Sequence, residues 1–493
     1  MVSYLQLAHN ERHPQSGSPI AKVIHNFGRA ENVDRAALAR LVCSISRFLT
    51  PEEAVSAAAG AEVEVLDSRR LGGTWTLDRV WERLGIGAAI RRVATGRRLD
   101  GDAVERVVFA LVAQRALEPG SKLAATTWVA QRVSIGDCPG FTDDAAYASM
   151  DFLLDALGEI AGQVFGSVAH LLNLDLDIVF VDTTSTYWET DTVEELAELA
   201  DAVDDDGVTR PVEQGKRAFG HSKDHRTDLP QVVIAMTVTR DGVPVRCWTF
   251  PGNTNDTAII RTVKDDLDGA NLRRMVWVAD RGFASATNRA YLTRGGGHYI
   301  HAEKLRHTNI EAAAAIAGAG RYRTVAGNLR VKEVHVAPGG HGDGDEGMRA
   351  ARFVVCLNPE QADRDAAVRD RLVAHLQTLI DGSDNWTARR RDELVGSLKA
   401  KPGLRPVFHH REDRIRAHVQ LCWLALLLIR VVENATSDTW RNTRHELDRM
   451  HLVTLASDHG TVAQRSATTP GHKKTLAALD LPEPPRFFDF TTD

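Results

Sequence analysis

Two aspartates directly follow strand-like apolar segments, and this pair constrains the fold more than any other feature of the chain. Asp182 follows the segment 176–181, and Asp280 follows the segment 275–279. Continuous runs of β-branched and aromatic residues are typical of strands that are buried in a parallel sheet. Because open α/β sheets bind ligands beyond the carboxyl ends of their strands, we expect both carboxylates to face one crevice. Such a pair predicts a divalent metal site of the kind that cuts or joins phosphodiesters.

The composition of the chain indicates a globular protein with several domains. The chain has 493 residues, of which 43% are hydrophobic and 26% are charged, a balance that is typical of globular proteins of more than one domain. The longest strongly apolar run, 421–429, is far shorter than the roughly 20 residues of a membrane span. We therefore expect a buried helix there and no membrane partner. The N-terminus lacks a secretory signal pattern, and the five separated cysteines contain no CxxC pair, which favours a cytoplasmic protein with reduced thiols.

The charge of the chain is distributed unevenly. The net charge is −6, but residues 189–209 carry nine acids and no Lys or Arg, so the remainder is slightly basic. The segment 386–418 is the most basic stretch, with nine Lys and Arg against four acids. This pattern allows a polyanionic partner without requiring one.

The strand and helix patterns predict an α/β fold with a mixed sheet of the ribonuclease H-like type and flanking helices. Within the core, three strands are followed by helix, strand, helix and strand, and the second and third strands form an antiparallel hairpin. The predicted core strands are 174–182, 231–239, 243–250, 275–280 and 298–303, and the predicted helices are 257–268 and 285–293.

The remaining segments flank or interrupt this core. A β-hairpin precedes the sheet, as does a long helical region, and strands at 321–325, 329–336 and 352–357 form an insertion. The predicted parts are an N-terminal hairpin and helix (1–75), a helical DNA-binding region (76–172), the first part of the core (173–305), a strand-rich insertion with a connecting helix (306–385), the C-terminal helices of the core (386–435) and a polar tail that frays (436–493).

The four residues from Asp280 to Phe283 form the most specific short motif. Gly282 permits a tight turn from strand to helix, Phe283 packs beneath it, and the planar guanidinium of Arg281 can contact a phosphate. The alternative is an ordinary strand–turn–helix whose arginine is salt-bridged. The coincidence with Asp182 favours the functional interpretation.

Two polar loops flank the hairpin of the predicted core. In 250–257, Thr254 or Asp256 is expected to cap the following helix. In 218–226, Lys223 and Arg226 either contact a DNA backbone or belong to a plain polar loop, and the residues leave both possibilities open.

Motifs spread over nearly the whole chain resemble the DDE transposases of bacterial insertion sequences, in insertion-sequence family four and its Tyr-Arg-Glu-Lys branch. The matching segments are 3–7, 22–29, 182–184, 220–226, 252–257, 279–283 and 404–428. The resemblance implies a ribonuclease H-like catalytic domain in which Asp182 and Asp280 hold Mg²⁺, with Mn²⁺ as a substitute. It also implies strand cleavage by water and strand transfer by the freed 3′-hydroxyl.

The third acid of the family departs from the expected pattern in this chain. The family carries a Glu within Tyr-x2-Arg-x3-Glu-x6-Lys, on a helix shortly before a segment that corresponds here to 405–409. The residues 398–404 contain a Pro-Gly break instead, which indicates an internal deletion of that helix. Glu393 is a candidate substitute, because Trp386 and Arg389 precede it at the family's spacing. The alternative is that Glu393 is a solvated helix residue and that the match is chance.

The predicted function is that of a transposase that binds the terminal inverted repeats and the target as double-stranded DNA, as a homodimer on DNA, in the bacterial cytoplasm and nucleoid. Lys223, Arg226 and Arg281 are the candidate phosphate contacts. Two alternatives stay open. The chain is a catalytically defective DNA-binding remnant without the third acid, or it is a ribonuclease H-like nuclease without transposition.

Overall fold

The computed structural model describes most of the chain, in segments. These are residues 3–12, 19–29, 32–34, 38, 40–41, 64–171, 178–187, 216–220, 228–269, 275–305, 309–336, 351–381, 412–457 and 460–491. Two compact units make up the protein: one contains 1–76, 129–136 and 441–493, and the other contains 77–128 and 137–440.

The described residues form strands and helices in a mixed α/β arrangement. The strands are β1 (Tyr4–Arg12), β2 (Pro19–Arg29), β3 (Glu64–Arg70), β4 (Ile178–Tyr187), β5 (Gln231–Thr239), β6 (Pro244–Pro251), β7 (Val276–Ala279), β8 (His298–His301), β9 (Arg323–Ala326), β10 (Leu329–Val336), β11 (Ala351–Leu357), β12 (His451–Ser457), β13 (Gly460–Arg465) and β14 (Phe487–Thr491). The helices are α1 (Gly72–Arg83), α2 (Ile86–Gly96), α3 (Gly101–Leu117), α4 (Lys122–Gln131), α5 (Asp143–Asp155), α6 (Leu157–Leu171), α7 (Asp256–Gly269), α8 (Ala286–Leu292), α9 (Ile310–Ala317), α10 (Pro359–Asp381), α11 (Glu412–Thr436), α12 (Trp440–Leu447) and α13 (Pro470–Ala478).

The first unit contains the predicted N-terminal hairpin and a four-stranded sheet. Strands β1 and β2 pair antiparallel, as predicted for two strands on either side of a Pro/Ser/Gly segment. The sheet has the order β14-β13-β12-β3. It corrects the expectation of a frayed C-terminal tail, because β12 pairs with both β3 and β13. The polarity of the tail was misleading, since its strands are stabilised by a partner near the other end of the chain.

The predicted long helical region is confirmed by α1 to α6. The turns fall at the expected breaks, and Gly85 adopts a positive φ of 71° where α1 gives way to α2. Two breaks were missed: residues 97–100 separate α2 from α3, and at Ala156 the axes of α5 and α6 are bent by 76°. Most of α3 is buried, as is expected for the central helix of a bundle.

A five-stranded mixed sheet forms the centre of the second unit. Its order is β6-β5-β4-β7-β8. The pairs β6/β5 and β5/β4 are antiparallel, whereas β4/β7 and β7/β8 are parallel. Helices α7 and α8 lie between strands β6 and β8 in the chain, and residues of both join the buried core cluster on one face of the sheet. The predicted sequence of three strands, helix, strand, helix and strand is therefore observed.

The first strand of this sheet extends further than predicted. Strand β4 continues past Asp182 to Tyr187 and pairs with β5 along this whole length. The residues 183–186, which lie beyond the predicted end of this strand at 182, are therefore strand. β-Branched threonines suit a pleated strand, and Thr183 and Tyr187 bury their side chains.

Helix α11 covers the opposite face of the sheet at β5. Ile415 packs with Val232 and Ile234, and the Gln420 amide donates to the Cys247 carbonyl over 3.4 Å. The helix is long and apolar enough to cross a membrane, but 67% of its most apolar window is buried inside the protein. Helices α5 and α6 meet the same criterion only when taken together as one bent span. The prediction of a buried helix on the sheet is confirmed for α11.

The predicted insertion is a separate three-stranded antiparallel sheet with the order β11-β10-β9. Helix α10 follows it and begins close to the predicted position. The Gly-rich turn 338–344 and the predicted end of this helix beyond residue 381 lie outside the described residues.

A buried lysine lies between α4 and α11. The Lys122 side chain is 1% exposed, and its Nζ lies 3.3 Å from Nδ1 of His418. Burial lowers the pKa of Lys122 to about 8, and the nearby charge of Arg115 acts in the same direction. At neutral pH the folded protein therefore holds a desolvated ammonium group.

We predict that Lys122→Met makes the protein more stable at pH 7 and weakens the pH dependence of its stability between about pH 8 and 10. The pKa of Lys122 falls on folding from 10.5 to about 8, so the unfolded chain binds more protons in this window and stability rises with pH. Full protonation of this group costs at most about 3 kcal/mol. Urea unfolding of both proteins from pH 7 to 10 measures the difference, and Lys474→Met, at an exposed lysine, is the control. A stability difference that is constant over this range contradicts the prediction.

Candidate active site

The parallel pairing of β4 and β7 brings Asp182 and Asp280 together. Val181 stands opposite Ala279 in the ladder, and each aspartate is the next residue along its chain. Side chains at matching positions of parallel strands point to the same face, and neighbouring strands lie about 4.8 Å apart. Both aspartates are exposed. The two carboxylates thus share one open edge of the sheet.

Each carboxylate is oriented by a backbone N–H group close to it in the chain. The Thr183 N–H donates to Oδ1 of Asp182 over 2.7 Å, and the Gly282 N–H donates to Oδ1 of Asp280 over 2.7 Å. Hydrogen bonds to an ionised acceptor are stronger than neutral ones. They hold both groups in place while leaving carboxylate oxygens exposed to solvent.

A third carboxylate, that of Asp256, lies beside this pair. Asp256 is the first residue of α7, and its Oδ1 accepts a hydrogen bond from the Thr183 hydroxyl over 2.7 Å. A methyl group on Gly282 would collide with Oδ2 of Asp256 and lie 2.8 Å from Oδ1 of Asp280. The Asp256 carboxylate therefore links strand β4, just after Asp182, to the loop after Asp280.

Gly282 and Asn288 allow this close approach. Gly282 was expected to be needed for the backbone geometry of the turn, but it does not adopt a left-handed conformation. A glycine is needed here because there is no space for a larger side chain. Asn288 is 2% exposed, and its amide donates to the carbonyls of Thr257 over 2.8 Å and Phe283 over 2.9 Å. Phe283 is fully buried in the core below, as predicted.

His301 ends the neighbouring strand β8, opposite Ala279 in the ladder. Both of its ring nitrogens are buried, and neither has a hydrogen-bond partner among the residues that the structure describes. Burial lowers the pKa of His301, while Glu303 and Asp280 act in the opposite direction. Burial thus favours the neutral imidazole, and the ladder position of His301 places its side chain on the same face of the sheet as the buried Ala279.

Of the other predicted site residues, the structure describes only Arg281. Arg281 is exposed in the turn after Asp280. Lys223, Arg226 and Glu393 lie outside the described residues. In the part of the chain that the structure describes, no three His, Cys, Asp or Glu side chains form a group that could hold a metal ion.

The sequence analysis missed Asp256 and His301 as neighbours of the site. Asp256 was expected only to cap a helix, and its position at the start of α7 agrees with that role. Its position in the 252–257 motif was the available signal. No local pattern marks His301, because only the pairing of β8 with β7 brings it to this edge.

Comparisons with known proteins found one weak structural similarity that merits description. No family model matches the chain, and no curated protein matches it significantly. The cryo-EM structure of a piggyBac transposase synaptic complex with hairpin DNA is similar over 71% of this chain and 70% of that chain, with 10% identity and a TM-score of 0.30. A similarity at this level establishes neither a shared fold nor a shared function.

We predict that Gly282→Ala destabilises the protein by about 1–3 kcal/mol, because the added methyl group overpacks the space between Asp256 and Asp280. The free energy of unfolding in urea measures this cost. Asp256→Ala should remove part of this cost when the two changes are combined, since it deletes the nearer of the two carboxylates that the methyl group meets.

Gly162→Ala is the matched control for this change. Gly162 lies inside α6, where a methyl group would meet nothing within 4 Å, so this change should be neutral or stabilise by up to about 1 kcal/mol. If Gly282→Ala lowers the free energy of unfolding equally in the wild type and in Asp256→Ala, Asp256 does not contact the loop that carries Gly282.

Proposed function

We propose that this protein is a DDE-type transposase that binds the ends of an insertion sequence and carries out Mg²⁺-dependent cleavage and transfer of DNA strands. One observation supports this proposal above the others. Asp182 and Asp280 lie side by side at the edge of two adjacent parallel strands in the middle of a mixed sheet. Paired carboxylates in such a crevice suit metal-assisted phosphodiester chemistry.

We interpret the central sheet as ribonuclease H-like. The first three strands along the chain are antiparallel neighbours, and the last two add in parallel on the other side of the first. This is the order that the sequence analysis associated with that fold. The low TM-score of the piggyBac comparison plays no part in this interpretation.

The side chains at the site suit Mg²⁺ in chemistry but are too few for a complete shell. Mg²⁺ prefers carboxylate oxygens and is bound through one or two carboxylates together with substrate phosphates. Asp182 and Asp280 would hold the ion, which when bound supplies charge stabilisation at the reacting phosphate. The described residues provide no third ligand in a metal-binding group, so the substrate or the undescribed segment around Glu393 has to complete the site.

The residues of the chain contribute position and charge. The N–H groups of Thr183 and Gly282 hold the two carboxylates. Asn288 ties the start of α7 to the loop after Asp280. Arg281 lies one residue from Asp280 and is exposed, so its guanidinium can contact a phosphate of the bound strand. Lys223 and Arg226 are proposed for the same role.

The proposed partners are double-stranded DNA ends and target DNA. The helical region α1 to α6 would bind the terminal inverted repeats, and two copies of the chain would act together on DNA in the bacterial cytoplasm and nucleoid. These assignments derive from the family resemblance of the sequence motifs.

A second candidate function is that of a DNA-binding remnant that recognises the ends without cutting them. The absence of a third metal-binding side chain among the described residues favours it. Such a chain would inhibit an intact relative by occupying its DNA ends. Binding to the ends without nicking in Mg²⁺ or Mn²⁺ would identify this function, and strand-transfer products would exclude both it and a simple nuclease.

We predict that Asp182→Asn and Asp280→Asn each reduce Mg²⁺-dependent cleavage of the element's ends by about a thousand-fold or more. Loss of a metal-binding carboxylate removes several kcal/mol of charge stabilisation, and each 1.4 kcal/mol is about tenfold in rate. Cleavage of labelled end DNA in a gel assay measures the effect. Asp363→Asn, at an exposed aspartate of α10, is the charge-matched control. Equal cleavage by all four proteins would place the active site elsewhere.

A further inference from the structure

Two exposed arginines and one buried lysine surround the Tyr291 ring, which lies near the end of α8 and beside α7. The guanidinium carbons of Arg261 and Arg294 lie 5.3 Å and 5.1 Å from the centroid of the Tyr291 ring, and Nζ of Lys264 lies 5.9 Å from it. We call these four residues the Tyr291 cluster. Cation–π attraction orients cations over an aromatic face.

The two arginines of the cluster are available to a ligand. Both are exposed, and neither forms an ion pair or hydrogen bond with a described residue. The carboxylate that touches the cluster is Asp265, which accepts the Tyr291 hydroxyl hydrogen bond. Among the described residues, the two exposed arginines therefore share the ring with one carboxylate, and the summed charge of these three groups is positive.

This arrangement differs from that of other arginines on the surface of the second unit. Arg289, on the same helix as Tyr291, is paired with both Glu303 and Glu311, and Arg352 is paired with Glu333. Arg261 and Arg294 rest on a ring instead, which fixes each guanidinium while its N–H groups stay free. A planar, pre-oriented fork of donors suits a phosphate oxygen.

We propose that the Tyr291 cluster binds the phosphate backbone of the DNA duplex next to the reacting position; this rests on the function proposed above. Helix α7 begins at Asp256, beside the paired aspartates. At about 1.5 Å per residue, Arg261 and Lys264 lie about 7.5 and 12 Å further along its axis. Phosphates recur every 3.4 Å of helix axis along each strand, so a strand at the aspartates reaches the cluster within about four nucleotides. Contacts of this kind position DNA and carry no sequence information.

The test compares the salt dependence of DNA binding by wild-type protein and by the double variant Arg261→Gln/Arg294→Gln. Anisotropy of a fluorescein-labelled, mixed-sequence duplex gives the binding constant between about 50 and 200 mM salt. Each lost phosphate contact lowers the slope of log K against log salt by about 0.9. We expect the double variant to lower the slope by nearly 2 and to bind about ten- to a hundred-fold more weakly at low salt.

Two sets of variants separate this role from a general loss of charge or fold. Arg364→Gln/Arg369→Gln removes the same charge from exposed positions on α10 and should leave the slope unchanged. Tyr291→Phe keeps the ring and should bind as the wild type does, whereas Tyr291→Leu should bind more weakly. Circular dichroism and thermal unfolding check that each variant is folded.

The outcomes distinguish this proposal from the function on which it rests. If the slope falls equally in both double variants, or in neither, the Tyr291 cluster does not bind the DNA backbone. The proposed function is then still supported if DNA cleavage depends on Asp182 and Asp280. A wild-type protein that binds no duplex at any salt concentration rejects both proposals. A slope that falls in Arg261→Gln/Arg294→Gln but not in Arg364→Gln/Arg369→Gln supports DNA binding by the Tyr291 cluster.

Discussion

Parallel pairing between β4 and β7 is the constraint on which the candidate site depends. It places Asp182 and Asp280 one step beyond the same rung of the ladder, about one strand spacing apart. Two negative charges this close repel each other. The N–H groups of Thr183 and Gly282 each donate a hydrogen bond to one of the two carboxylates. A bound cation would relieve the remaining repulsion, which is why the pair suits a metal-dependent reaction.

The surroundings of the pair form a connected support. Asp256 contacts Thr183 on one side and borders Gly282 on the other, and Asn288 joins the same helix start to the loop that carries Phe283. The elements that position the aspartates are also the elements that carry the Tyr291 cluster, since α7 and α8 both begin at the site. DNA contact on these helices and chemistry at the sheet edge would therefore act on one rigid piece of the protein.

The central sheet could be predicted from sequence because its signals are local. The strand 231–239 and the adjoining hairpin follow from β-branched runs around Asp241 and Gly242, and Phe283 behaves as a core residue because it follows a buried strand. Local patterns failed where distant partners decide the structure. Strand β4 extends past Asp182 because β5 pairs with its threonines, and β12 forms because β3 lies beside it. His301 comes near the site only because β8 pairs with β7, so no local pattern could have found it, whereas Asp256 could have been suspected from its place in the 252–257 motif.

Calorimetric titration of Mn²⁺ into wild-type protein, Asp182→Asn, Asp280→Asn and the double variant tests the central claim most directly. If both carboxylates hold one ion, each single change weakens the same binding event and the double change adds little, so the two effects are strongly non-additive. Independent losses that sum in the double variant, or Mn²⁺ binding that neither change alters, would show that the two aspartates serve separate sites and would contradict the account.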